Sequence, residues 1–182
     1  QSIYVRVSIA RMLENTISHL PQNWALVVRA GHRPVGVQAA LFKLVEKELF
    51  VKNPQLADEE VLGLTRTYVA DPSLKSPAHC CGAAVDVDAL SLDTGKMVDF
   101  GSQVNEDSEV SRLHSNLVSK SQNRNRLVLL EAMLKAGFAP LDAEWWHYSF
   151  GDQNWAVFYN KQNAKYNIKE PSLDEVNKKR HK

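Results

Sequence analysis

The chain has 182 residues, of which 44% are apolar and 24% charged, close to the globular average, which excludes a disordered tail, a collagen-like fibre and a coiled-coil rod. Lys and Arg total 22 against 21 Asp and Glu, a net charge of +1, so there is no electrostatic ground for nucleic acid or an anionic membrane as the main partner. No apolar run approaches the roughly 20 residues that a membrane-spanning helix needs.

In chain order, Val7 to Leu20 places Ile9, Met12, Leu13, Ile17 and Leu20 at helical spacing, and Pro21 ends the run. Trp24 to Arg29 (WALVVR) is β-rich and closed by Ala30-Gly31, which predicts a buried strand. Gly36 to Val51 is a second helix, with Ala39, Ala40, Leu44, Val45 and Leu49 as its apolar side. Asp58 to Val69 is a third, with Leu56, Val61, Leu62 and Leu64. Asp71 to Pro77 is loop by composition. Ala83 to Leu92 alternates as a strand, Asp93 to Lys96 turns a hairpin, and Met97 to Phe100 returns. Gly101 to Ser111 is polar and irregular. Ser121 to Ala136 is a helix stopped by Gly137. Glu144 to Phe150 and Trp155 to Tyr159 read as two aromatic strands around the turn 151–154.

Helices first, strands later and hairpin-length connections give an α+β fold with an antiparallel sheet flanked by helices. Residues 1–165 form a single domain, and 166–182 form a polar, basic tail ending in KKRHK. The adjacent Cys80 and Cys81 cannot readily bridge each other, so no disulfide framework exists and a reducing compartment is favoured. The chain starts at Gln1 without a leader, so it reads as a mature form or a trimmed fragment. The cytoplasm is the expected location, and the periplasm the alternative if a signal has been removed. Nothing in the sequence sets an oligomeric state.

Three segments carry chemistry. In Ser76 to Asp88, SPAHCCGAAVDVD, His79 ends a loop just before the strand. Ala84, Asp86 and Asp88 share one strand face, and Val85, Val87 and Ala89 the other. The valine face suits a core, so the Asp86 face needs a partner or a metal. The bland alternative is a salt bridge or a solvated face. The second segment is Glu144-Trp145-Trp146-His147. Residues three apart lie on opposite faces of a strand, so Glu144 shares a site with His147 only from the strand entrance or a bulge. Otherwise His147 is a core histidine and Glu144 a surface group. His79, Asp86 and His147 together make a nitrogen and oxygen donor set suited to one catalytic zinc, with a fourth position left for water. Glu144 is then the candidate general base. Cys80 and Cys81 are weaker candidates, because a His-Cys-Cys run does not close easily on one ion. The third segment is Gly31-His32-Arg33-Pro34. It follows the strand WALVVR, and Arg33 is placed to stabilise the oxyanion formed when water attacks an amide. The alternative for Arg33 is an ordinary surface cation.

Taken in this order, AGHRPVGVQAALF, SPAHCCGAAVDVDALSLDTGKMVDFGS, NRNRLVLLEAMLKAGF and EWWHYSFGDQNWA resemble the zinc D-Ala-D-Ala dipeptidases of the VanX type, within the wider zinc D-Ala-D-Ala peptidase family. The resemblance spans roughly residues 24–160. It implies the Hedgehog/D-Ala-D-Ala-peptidase-like zinc fold and a short peptide substrate ending in D-Ala, as found in cell-wall precursors. It matches His79, Asp86 and His147 to the zinc ligands, Glu144 to the base and Arg33 to the transition-state arginine. Three departures stand out. The chain begins at its first long helix, where the family has a further N-terminal segment. Pro77 stands where the dipeptidases tend to have a serine, and Asn105 stands near an aspartate that holds the substrate's amine. Asp88, on the same strand face as Asp86, and Glu106 and Asp107, next to Asn105, are the candidates to compensate for that loss of charge. A D,D- or L,D-carboxypeptidase on peptidoglycan stems is the nearest rival. A non-catalytic zinc-containing wall-binding module is the rival from another class, and the presence of Glu144 speaks against it.

Overall fold

In the computed structural model, which describes residues 2–73, 77–106 and 108–168, four strands make one antiparallel sheet. They are β1 (Trp24–Ala30), β2 (Ala84–Ser91), β3 (Ala139–Leu141) and β4 (Glu144–Ser149), in the order β1-β2-β4-β3. The helices are α1 (Val7–Ile17), α2 (Val35–Lys52), α3 (Asp58–Tyr68), α4 (Lys120–Lys135) and α5 (Gln153–Phe158). The α+β expectation holds.

β2 is central and Ala84 to Ala89 are all buried. Val85 and Val87 join Ile9 and Leu13 of α1, Leu129 and Met133 of α4, and Trp145, Trp146 and Tyr148 of β4 in one core. Burying both faces of a strand this way removes water from the carboxylate side as well, which is why Asp86 there requires partners.

Several expectations change. Residues 155–159 are not a strand. The Asp152 carboxylate accepts the Trp155 N–H at 2.9 Å and caps α5, so a local cap outweighs aromatic β propensity. The return from the 93–96 turn is not a full strand: only Met97 bridges Leu90, with Val98 N–H donating to the Ala89 carbonyl. β3 escapes the sequence because it is short and contains Pro140, which a sheet tolerates at its edge. The stripe that α2 buries is Gln38, Phe42 and Leu49, while Leu44 is exposed. Likewise α1 buries Thr16 and exposes Ile17, and α3 buries Val61 and Thr65. Tyr166, assigned above to the tail, packs against the core, whereas 169–182 lie outside the described residues.

Arg126 is 1% exposed. Its guanidinium donates to the carbonyls of Phe100, Arg112 and Val110 at 2.7, 2.6 and 2.8 Å. It thereby pins the irregular 100–112 segment to α4. Arg126→Met keeps the volume but strands three carbonyls. At about 1–3 kcal/mol for each group left unpaired in the interior, a loss of about 3 kcal/mol or more is expected in guanidinium denaturation. A loss below about 1 kcal/mol would contradict this reading of the bond network.

Candidate metal centre

The turn that carries His79 is one 3-10 turn, His79–Cys81, closed by Gly82 in the left-handed region at φ 65°. Glycine reaches that conformation without strain, and the chain then enters β2. Two residues into β2, Asp86 stands directly opposite His147 of β4 in the antiparallel register. Sequence spacing alone does not reveal this juxtaposition, since 61 residues separate the two.

Asp86 Oδ1 lies 3.1 Å from His147 Nδ1 and 3.4 Å from His79 Nε2. The imidazole rings meet edge to face with centroids 4.9 Å apart. One donor atom from each of the three residues falls within 4.8 Å of the others, and all three residues are buried. The other nitrogen of His79, Nδ1, is 2.8 Å from the Gly31 carbonyl. A carbonyl only accepts, so Nδ1 carries a proton and Nε2 is the nitrogen turned towards Asp86, the arrangement that metal-ligating histidines show.

Charge in the cluster follows this geometry. Burial works against an ionised Asp86, but the hydrogen bonds from His147 and His79 outweigh it and hold its carboxyl far below the usual range. Burial also works against a charged His147, and the Asp86 hydrogen bond outweighs it, so that imidazole is held above its usual value. The cluster is thus a buried carboxylate facing two ring nitrogens. Two imidazoles and one carboxylate converging in a buried pocket fit zinc by donor type and number.

Glu144 begins β4 at a bulge. Leu141 pairs with Glu144 and Pro140 with Tyr148, so β4 carries extra residues against β3. The bulge swings Glu144 to the His147 side, with Oε2 3.7 Å from Nδ1. Its side chain is 35% exposed, so water reaches it. Burial is the main force pushing its carboxyl above the usual range; Asp86 adds to the rise, and His147, His79 and Arg33 pull against it. Arg33 is half-buried. Its backbone N–H donates to the His79 carbonyl at 3.1 Å, and its Nη1 donates to Gln38 Oε1 at 2.9 Å.

Gln38 was not singled out in the sequence. It is 2% exposed, receives Arg33 and donates to the Ala70 carbonyl at 2.8 Å. Its only signal was a polar residue one turn after Pro34 in an otherwise apolar run. The Gly31 carbonyl, a backbone group, left none.

The remaining candidates lie differently. Asp88 is not drawn into the cluster: it receives Arg29 Nη2 at 3.0 Å and the Ala89 N–H at 2.8 Å. Pro77 is buried, and its carbonyl accepts the Cys81 N–H at 3.2 Å. Asn105 is exposed with φ 66°. Glu106 receives the Gln103 N–H and the Ser108 hydroxyl. Asp107 lies outside the described residues.

Cys80 and Cys81 are buried and form no disulfide. Burial pushes the Cys81 thiol up to about 11, and its Sγ donates to the Ala78 carbonyl at 3.0 Å. Such a thiol stays protonated at neutral pH and makes a poor ligand. Changing both cysteines to Ala is expected to leave one zinc per chain by metal analysis, with activity within about tenfold of the parent. Loss of zinc would promote a cysteine to ligand.

The D-Ala-D-Ala dipeptidase family of peptidases (M15) matches residues 2–169. The D-alanyl-D-alanine dipeptidase of Synechocystis sp. is 27% identical over 187 residues, covering 89% of this chain and 75% of that protein. The Enterococcus faecium enzyme of the same name is 33% identical over 96 residues, 53% of this chain and 46% of that protein. The chain therefore spans about half the length of that relative. Among solved structures, VanYB in complex with D-Ala-D-Ala superposes with a TM-score of 0.50 at 17% identity, covering 80% of this chain and 70% of that one. A variant of the vancomycin-resistance D,D-pentapeptidase VanY in complex with Zn(II) gives 0.51 at 17%, covering 88% and 81%. At that identity the likeness speaks for the fold. The family match covers most of the chain, and the chain therefore belongs to the D-Ala-D-Ala dipeptidase family and is a metallopeptidase.

Proposed function

We propose that this chain hydrolyses D-Ala-D-Ala, with zinc held by His79 Nε2, Asp86 and His147 Nδ1. The observation that carries the reading is the convergence of these three donors within 4.8 Å, next to a carboxylate that is not one of them. When bound, zinc supplies a Lewis acid that polarises the scissile carbonyl and brings the pKa of water towards ~7. Glu144 takes the proton from the attacking water at its carboxylate and passes it to the departing amine. Arg33, held by Gln38, meets the negative charge that develops on the carbonyl oxygen. The unbridged cysteines support a reducing compartment, in keeping with a cytoplasmic location. No helix among the described residues is long and apolar enough to cross a membrane.

The free ammonium of a dipeptide calls for a carboxylate, because an ammonium taken out of water unpaired is heavily penalised. Asp88 is engaged with Arg29, and Asn105 has no charge to offer. This favours a second reading on the same chemistry, a D,D-carboxypeptidase acting on longer stems. Mass spectrometry of products from D-Ala-D-Ala and from a pentapeptide stem, assayed side by side, separates the two. Free D-Ala from the dipeptide alone supports the first reading, and loss of the terminal D-Ala from the stem supports the second. Asn105→Asp is then expected to lower KM for the dipeptide with kcat little changed, since the amine contact is the same in ground and transition states. No product from either substrate by the zinc-loaded protein would overturn both.

A further inference from the structure

Residues 3–6 and 165–168 meet beside the turn that carries His79, and Arg6 is their junction. The Arg6 carbonyl accepts the Ala10 N–H at 3.0 Å and opens α1, while its own N–H donates to the Gly82 carbonyl at 3.1 Å. Its Nε donates to the Cys81 carbonyl at 2.6 Å, and its Nη2 to the Asn167 carbonyl at 3.1 Å. The guanidinium lies over the Tyr166 ring, 4.2 Å from the centroid.

Tyr166 is fixed in turn. Its hydroxyl is 3.0 Å from Ser8 Oγ. The Lys165 and Tyr166 N–H groups both donate to the Gly151 carbonyl. The ring sits so close to Gly151 that a Cβ there would come within 2.7 Å of it. On the other side of Arg6, the Tyr4 carbonyl accepts the His32 N–H at 2.6 Å. A Cβ on Gly31 would meet that carbonyl oxygen at 2.5 Å. Both supports of His79 are therefore gripped: the Cys81 and Gly82 carbonyls that follow it, and Gly31, whose carbonyl orients its ring.

A single 3-10 turn has little regular structure of its own to hold a side chain still. We propose that Arg6 and Tyr166 act as one clasp that positions His79, and thereby set the zinc affinity without touching the ion. This rests on the assignment of His79 as a ligand. Outer partners of ligating histidines change metal affinity about 10–100-fold, and a clasp acting through the turn belongs at the lower end.

The test is the Zn(II) dissociation constant of the full chain, measured by chelator competition well below the unfolding temperature. Arg6→Ala and Tyr166→Ala are each expected to weaken zinc about tenfold at unchanged stoichiometry, and the double variant by little more than either, because they act as a unit. Arg6→Lys keeps the charge over the ring but not the planar fork, and recovers part of the loss. Tyr166→Phe keeps the ring and recovers most of it. Either conservative variant carries the test if the alanine proteins fail to fold. Tyr159→Phe is the control: its hydroxyl donates to the Phe138 carbonyl at 3.0 Å on the β3 side, so it lowers stability and leaves zinc affinity alone. Affinity within about twofold of the parent in Arg6→Ala, or an equal loss in Tyr159→Phe, overturns the clasp. Parent-like zinc affinity in His79→Ala instead overturns the ligand assignment on which it rests.

Discussion

Asp86→Ala is expected to abolish stoichiometric zinc binding and with it peptidase activity. Asp86 is 2% exposed and is the only one of the three donors in polar contact with both others. Its loss removes a ligand outright, so the effect exceeds the roughly 10–100-fold that follows loss of an outer partner. A second effect appears in metal-free protein. The buried carboxylate there faces both imidazoles, and removing one member of a buried ion pair costs about 3–5 kcal/mol. Asp86→Ala in chelator should therefore unfold at lower denaturant than the parent in chelator. Metal analysis and denaturation curves read the two effects separately. Parent-like zinc content in Asp86→Ala would remove it from the ligand set.

Glu144→Gln separates the base from the metal. The amide keeps the size and position of the side chain at the bulge, so zinc is expected to stay at one per chain. It takes no proton at neutral pH, so kcat should fall by about 10²–10⁴-fold. KM should change little, because the proton transfer belongs to the transition state rather than to binding. Steady-state kinetics on D-Ala-D-Ala beside metal analysis gives the answer. Full turnover in Glu144→Gln would end the assignment, and loss of zinc would make Glu144 a ligand.

What the sequence revealed and what it hid follow from the range of the forces involved. The site residues share short segments with Gly, Pro and aromatic neighbours, and a carboxylate on a strand whose other face is apolar is conspicuous without a structure. The requirement that Glu144 sit at an entrance or a bulge came from strand geometry alone, and the structure has that bulge. Helix phases were harder. In α2 nearly every residue on two sides is apolar, so the sequence pointed to Leu44 while packing buried Gln38 and Phe42. α5 was misread because Trp155 and Tyr159 favour strands, while one side-chain oxygen of Asp152 decided for a helix. Backbone partners such as the Gly31 carbonyl carry no residue signature at all, and neither does the meeting of Arg6 with Tyr166 across most of the chain.

The register pair Asp86–His147 has a consequence for the order in which the protein is made. Pairing across 61 residues is non-local and waits on loop closure. His79 and Asp86 leave the ribosome together, but the third donor follows only when β4 is complete. Until β4 zips onto β2, the emerging chain has an edge strand bearing an unpaired carboxylate and no cage for an ion. On the proposed ligand set, metal capture comes only after the central sheet has closed.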